Sequence, residues 1–113
     1  MLQVLHNPRC GKSRNCIAYL NESNKEFEII NYLETPLSVN DLTVLLKKLN
    51  LRPLELVRQK EAIWIENYKF NAPSDETIIE ALSIHPILIE RPIIVCGEKA
   101  IIAREIEVIK AFI

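Results

Sequence analysis

Leu2, Val4 and Leu5 form a short apolar run that Asn7-Pro8 brings to an end, the signature of a buried first strand. From Lys12 to about Glu22 the apolar positions are Cys16, Ile17 and Leu20, spaced i, i+1, i+4 along one face of a helix. Glu26-Phe27-Glu28-Ile29-Ile30 reads as a second strand. A strand, a helix and a strand within about thirty residues predict a βαβ unit, with parallel strands and a right-handed crossover.

Thr35-Pro36 breaks this pattern, and the next stretch has helical spacing. Ser38 is placed to cap a helix with Asp41 in its first turn and Leu42, Leu45, Leu46 and Leu49 as its apolar stripe. Pro53 opens a short helix through Val57, which puts Arg58 just past its end. Ala62 to Tyr68 is a further helical segment, with Ile63 and Trp64 available to pack. Ser74 caps another, complemented by Asp75 and Glu76, and Pro86 ends it near His85. The last third then changes character. Ile93–Cys96 and Lys99–Ala103 flank Gly97-Glu98, as in a two-residue type II′ hairpin, with Cys96 read as a structural residue of its strand. Ile106, Ile109 and Phe112 lie on one face of a closing helix over 105–112.

The order β-α-β, a mostly helical stretch, then β-β-α predicts one α/β domain over residues 1–113. Its expected form is a thioredoxin/glutaredoxin-like mixed sheet with helices on both faces. The core covers about 1–34 and 88–113, with a helical insertion over about 35–87. Arg91-Pro92 stands directly before the third strand, and X-Pro bonds adopt the cis form at modest cost. That fold resembles one in which a cis-proline stands beside the active cysteine.

Composition adds mostly exclusions. A length of 113 residues with 49% hydrophobic and 26% charged residues fits one ordinary globular domain. The net charge of −1 gives no reason to expect nucleic acid or anionic lipid as a general partner. No basic leader precedes a long apolar run, and no segment approaches ~18 consecutive apolar residues, so neither signal peptide nor membrane span is expected. Three scattered cysteines form no disulfide framework, which makes a reducing cytoplasm the expected location. Two histidines and three dispersed cysteines show no metal-ligand spacing.

Candidate chemistry concentrates in His6-Asn7-Pro8-Arg9-Cys10-Gly11-Lys12-Ser13-Arg14-Asn15. Cys10 falls where the first strand ends and the first helix begins. Helix N-terminal N–H groups lack internal partners and carry partial positive charge, so a thiolate is stabilised there. Arg9, Lys12 and Arg14 add formal charge to the neighbourhood. A free cysteine titrates near ~8.5, and such settings lower it to roughly 3.5–7.5. Lone cysteines are most often small buried hydrophobes, but these flanking residues are no core composition, so Cys10 is read as an activated nucleophile. Cys16 lies on the inward helix face as core filler. It stands roughly 9 Å along the axis from Cys10, beyond the ~7 Å Cα separation a disulfide allows.

Five blocks, taken together, resemble the glutaredoxin-coupled arsenate reductase (ArsC) family, and most closely its short YfgD-like branch within the ArsC/Spx superfamily. They are His-Asn-Pro-Arg-Cys-Gly-Lys-Ser-Arg at 6–14, Tyr-Leu-Glu-Thr-Pro at 32–36, Val-Arg-Gln-Lys-Glu at 57–61, Glu-Arg-Pro-Ile-Ile-Val at 90–95 and Ala-Arg at 103–104. The resemblance implies that Cys10 attacks arsenate. It implies that Arg58, Arg91 and Arg104 bind the oxyanion and stabilise its adducts, and that His6 influences the ionisation of the cysteine. Gly11, Lys12, Ser13 and Arg14 around the cysteine, with Pro92, complete the implied substrate-binding set. The residue types agree with this, because guanidinium groups and helix N–H groups both suit a tetrahedral anion.

The resemblance implies no bound cofactor and glutathione as co-substrate. Cys10 would form a thiol–arsenate adduct, glutathione would attack it, and glutaredoxin would resolve the mixed species by thiol–disulfide exchange. An external thiol is expected because Ser13 occupies the place of a second cysteine in a dithiol motif. Two other readings stay open: a glutathione-dependent thiol reductase without arsenate activity, and an Spx-like regulatory binding protein. A low-molecular-weight phosphatase-type site needs an arginine six residues after its cysteine. That position is Cys16, which excludes it. Arg104 is followed by Glu105, where family members often carry proline, and Glu105 is a candidate partner for that arginine.

Overall fold

The computed structural model describes residues 1–113, which divide into two compact units. The first is Met1–Thr35 with Arg91–Ile113, and the second is Pro36–Glu90.

The first unit is built on a four-stranded mixed sheet in the order β2-β1-β3-β4. Strand β1 (Leu2–Leu5) pairs in parallel with β2 (Phe27–Ile30), and helix α1 (Gly11–Glu22) is the crossover that a parallel pair requires. Strand β3 (Ile93–Cys96) runs antiparallel to both β1 and β4 (Lys99–Ile102), with Leu5 opposite Ile93 and Ile93 opposite Ile102. The architecture is the expected thioredoxin/glutaredoxin-like one, a mixed sheet with flanking helices and helical insertions.

Side chains alternate across a strand, and here the alternation selects the core. Leu2, Val4 and Ile94 face Cys16 and Leu20 of α1 and Ile109 of α5 (Ile106–Phe112), with Ala103 completing the cluster. On the other parity Leu5, Ile93 and Val95 are buried too, whereas Gln3 is exposed and donates to Glu28 Oε1 at 3.2 Å. Ile106, expected on the inward face of the last helix, is instead exposed at its first residue. The face is carried by Ile109, with Phe112 and Ile113 packed beside it.

The β3–β4 turn has Gly97 at φ 59°, and Glu98 is not in the positive-φ region, as the II′ geometry requires. Cys96 does not fill a core position. It is exposed at the end of β3, where the ladder gives way to the turn.

In the second unit, helix α2 (Val39–Leu49) starts with a full capping box. Ser38 Oγ accepts from the Asp41 N–H at 3.0 Å, and Asp41 Oδ2 accepts from the Ser38 N–H at 3.1 Å. It packs on α4 (Asp75–Ile84), which Ser74 caps. Pro53–Leu56 is a 3₁₀ turn that stops short of Val57, because Val57 is extended and bridges Ile89. Helix α3 (Ala62–Asn67) buries Trp64, whose ring stacks on Tyr68 at 5.5 Å.

Candidate active site

Sheet order explains why distant residues meet. The C-terminal end of β1, the start of β3 and the end of β4 lie at one edge of the sheet. Cys10 follows the first, Arg91 precedes the second and Arg104 follows the third. One further hydrogen bond, from the Ala103 N–H to the Pro92 carbonyl at 2.8 Å, extends the β3–β4 ladder to this edge. The Arg91–Pro92 peptide is cis, and Pro92 is buried.

Local chemistry folds the loop between β1 and α1. Asn7 is buried, and its side-chain oxygen accepts from the Arg9 N–H at 3.0 Å while its carbonyl accepts from the Cys10 N–H at 3.0 Å. This is the Asx-turn arrangement that an Asn-Pro pair favours. Ser13, fully buried, accepts the Asn7 N–H on Oγ at 3.3 Å. Asn7 is not among the site residues read from the sequence, although an Asn-Pro pair one residue removed from a cysteine is the signal that marks it.

Cys10 is thereby set as the N-cap of α1, with extended backbone (φ −95°, ψ 124°) and partial exposure. Burial pushes its thiol up, but opposing contacts outweigh that effect and bring it down to about 7. These are the Ser13 N–H, the Arg91 side chain as donor, the Lys12 N–H and the Arg91 charge. The charges expected from the local sequence act differently. Arg9 is exposed, Arg14 donates to the Pro8 carbonyl at 3.0 Å, and the Lys12 ammonium sits 3.4 Å from Glu105. The guanidinium acting on the sulfur is Arg91, eighty-one positions further along the chain.

Arg104 is half-buried and donates from Nη1 to the Arg91 carbonyl at 2.8 Å, so the two arginines are tied through backbone. Glu105, a candidate partner for Arg104, pairs with Lys12 instead. His6 is partly buried, its N–H bonded to the Ile30 carbonyl at 3.0 Å and its Nδ1 buried without a hydrogen-bond partner. Burial, and then the Arg14 charge, lower its pKa, so the imidazole is neutral at pH 7. Gly11 opens α1, and a Cβ there would meet Arg14 Nη2 at 3.8 Å, ordinary contact.

The other two cysteines have no such environment. Burial in the core raises Cys16 to about 11. Cys96 lies at the far end of β3, three residues and roughly 10 Å from the Ile93 end that neighbours the site. Arg58 belongs to the second unit. Its N–H donates to the Leu88 carbonyl at 2.7 Å, and its Nε lies 3.7 Å from Glu61 Oε1. No group of three or more histidine, cysteine or carboxylate side chains could hold a metal ion, and no helix is long and apolar enough to cross a membrane.

A thioredoxin-like sheet thus sets one cysteine, its thiol brought down to about 7, at the first helix entrance, with arginines at the adjoining strand ends. The chain belongs to the ArsC family, whose model matches residues 5–112. It is 43% identical over 105 residues to the uncharacterized protein YfgD of Escherichia coli K12, spanning 91% of this chain and 88% of that one. An arsenate reductase of Neisseria meningitidis serogroup A is 34% identical over 112 residues, with 97% and 96% covered. Among solved structures, an arsenate reductase from Vibrio cholerae superposes with a TM-score of 0.92 at 36% identity, covering 99% of this chain and 97% of that one. Family membership implies an oxidoreductase role.

Proposed function

We propose that the chain is an arsenate reductase that uses Cys10 as its nucleophile and draws electrons from glutathione and glutaredoxin. The observation that carries this is the setting of Cys10, whose sulfur accepts from the first N–H groups of α1 and from Arg91 and titrates near 7. At neutral pH such a thiol is about half thiolate, whereas a thiol at 9 would be about one per cent ionised. Glutathione and glutaredoxin enter through the family resemblance and through the lack of a second suitably placed cysteine.

The cycle proceeds in three balanced steps. The Cys10 thiolate attacks arsenic, an S–As bond forms, and one arsenate oxygen leaves as water after protonation. A glutathione thiolate then attacks the Cys10 sulfur. The S–As electron pair passes to arsenic, which leaves as arsenite, and a Cys10–glutathione disulfide remains. Glutaredoxin attacks the glutathione sulfur and returns Cys10 as thiolate, so two thiols have supplied two electrons. Arg91 and Arg104 neutralise the oxyanion and the adduct, with the Gly11, Lys12 and Ser13 backbone of the first α1 turn as further donors. Arg14 and Pro92 complete the proposed binding set, and the neutral His6 adjusts the thiol. The role of Arg58 is carried by the Val-Arg-Gln-Lys-Glu motif alone.

The test is arsenite production with glutathione and glutaredoxin. Wild type is expected to turn over, Cys10→Ser to be inactive, and Arg91→Gln to fall about 10²-fold or more, the scale of losing one anion-stabilising donor. Turnover by Cys10→Ser, or reduction supported by thioredoxin with no glutathione present, contradicts the cycle. A wild type whose Cys10 forms the glutathione disulfide without producing arsenite points instead to a glutathione-dependent thiol reductase.

A further inference from the structure

Lys12 and Glu105 are ninety-three residues apart in sequence, yet Lys12 Nζ lies 3.4 Å from Glu105 Oε1. Lys12 occupies the first turn of α1 and presents its N–H to the Cys10 sulfur, while its ammonium is directed to the β4–α5 junction. Glu105 is the N-cap residue of α5 but makes no side-chain cap to its own helix, so its carboxylate is committed to Lys12. It also directly follows Arg104, whose guanidinium is fixed on the Arg91 carbonyl. The remaining nearby cations are otherwise placed: Arg14 is bonded to the Pro8 carbonyl, and Arg9 is exposed. Lys12 is therefore the one cation of the first α1 turn whose charge a carboxylate holds.

We infer that Glu105 is a positioning residue that sets the positive charge at the mouth of the Cys10 site by holding the Lys12 ammonium away from it, and so tunes how strongly the site prefers anionic over neutral reagents. This deepens the proposed function and rests on Cys10 being the reactive thiol, but not on arsenate being its substrate. The pair is open to solvent, with side-chain exposures of 43% and 68%, so its influence is modest and screened by salt. With Glu105 neutral, the flexible lysine stem is free to turn toward an incoming anion.

The test compares two alkylating reagents of nearly equal size, iodoacetate and iodoacetamide, on a Cys96→Ser background that removes the other exposed thiol. Both react with the same thiolate, so the ratio of their rates reports the charge met at the sulfur and cancels the thiolate fraction. Glu105→Gln is expected to raise the iodoacetate-to-iodoacetamide ratio about two- to fivefold at low ionic strength, with the rise collapsing in 1 M salt. Glu105→Asp is expected to restore the wild-type ratio in large part. In a Lys12→Gln background the effect of Glu105→Gln should shrink by more than half, because the carboxylate acts through the lysine. An unchanged ratio in Glu105→Gln overturns the inference. So does an equal rise with and without Lys12, since the carboxylate would then act through space alone. Thermal midpoints of the variants separate charge effects from loss of fold. Absence of arsenite production leaves this measurement intact, so failure of the substrate assignment and failure of the Glu105 assignment are distinguishable.

Discussion

Ser13 shows how closely structure and chemistry are joined at the level of single residues. Its N–H serves the Cys10 sulfur, while its buried hydroxyl accepts the Asn7 N–H and holds the preceding loop. Ser13→Ala should leave that buried amide without a partner and cost about 1–3 kcal/mol in denaturant unfolding. The thiol should still titrate near 7, because the Ser13 N–H survives the substitution. A large upward move of the titration without loss of stability would show that the hydroxyl, not the amide, acts on the sulfur. The position of Cys10 was legible from its neighbours, because an Asn-Pro stop followed by a helical period defines a strand–helix junction. The identity of the charge acting on it was not. Neighbours in sequence suggested Arg9, Lys12 and Arg14, but a side chain's direction depends on what else it can reach. Arg14 reaches a carbonyl, Lys12 reaches a carboxylate, and Arg91 arrives from the segment that leads into β3.

Caps and turns carried most of the legible information at the level of elements. Ser38 with Asp41, Ser74 with Asp75 and Glu76, and Gly97-Glu98 each fix a boundary through a local hydrogen bond or a φ requirement, and each stands where its residues implied. Ser38→Ala removes an exposed capping box and should cost about 0.5–2 kcal/mol, read as a lower thermal midpoint with Cys10 alkylation unchanged. A shift in alkylation would couple α2 to the thiol by a route no local contact of Ser38 supplies. Boundaries set by tertiary pairing were less legible. The 3₁₀ turn ends at Leu56 because Val57 pairs with Ile89, a partner thirty-two positions away. Cys96 and Ile106 look apolar and inward by period, yet both fall at element ends, where periodicity no longer dictates burial.

For the molecule as a whole, topology does what no single motif can. The β2-β1-β3-β4 order carries the ends of three strands to one edge, and with them Cys10, Arg91 and Arg104. The same topology keeps Cys16 in the core and Cys96 at the opposite end of β3. Oxidation in the presence of glutathione should therefore give a mixed disulfide at Cys10 and no intramolecular bridge, read by the mass of the intact protein and its peptides. A bridge between Cys10 and either other cysteine, seen as the loss of two hydrogen atoms from the intact mass, would contradict this. The alternation of strand and helix made the sheet legible in advance. The meeting of the arginines was legible only through family resemblance, since the register that brings Arg91 and Arg104 together is a property of paired strands. The most direct test of a cysteine held as thiolate by a helix entrance and a distant guanidinium is the pH dependence of Cys10 alkylation by iodoacetamide, again with Cys96→Ser. The rate rises with pH as the thiol ionises. Its midpoint should fall at about 7, and Arg91→Gln should move it upward, toward the ~8.5 of a free cysteine, by removing the guanidinium and its charge. A midpoint near the ~8.5 of a free cysteine in the wild type, or one that Arg91→Gln leaves in place, would contradict the account.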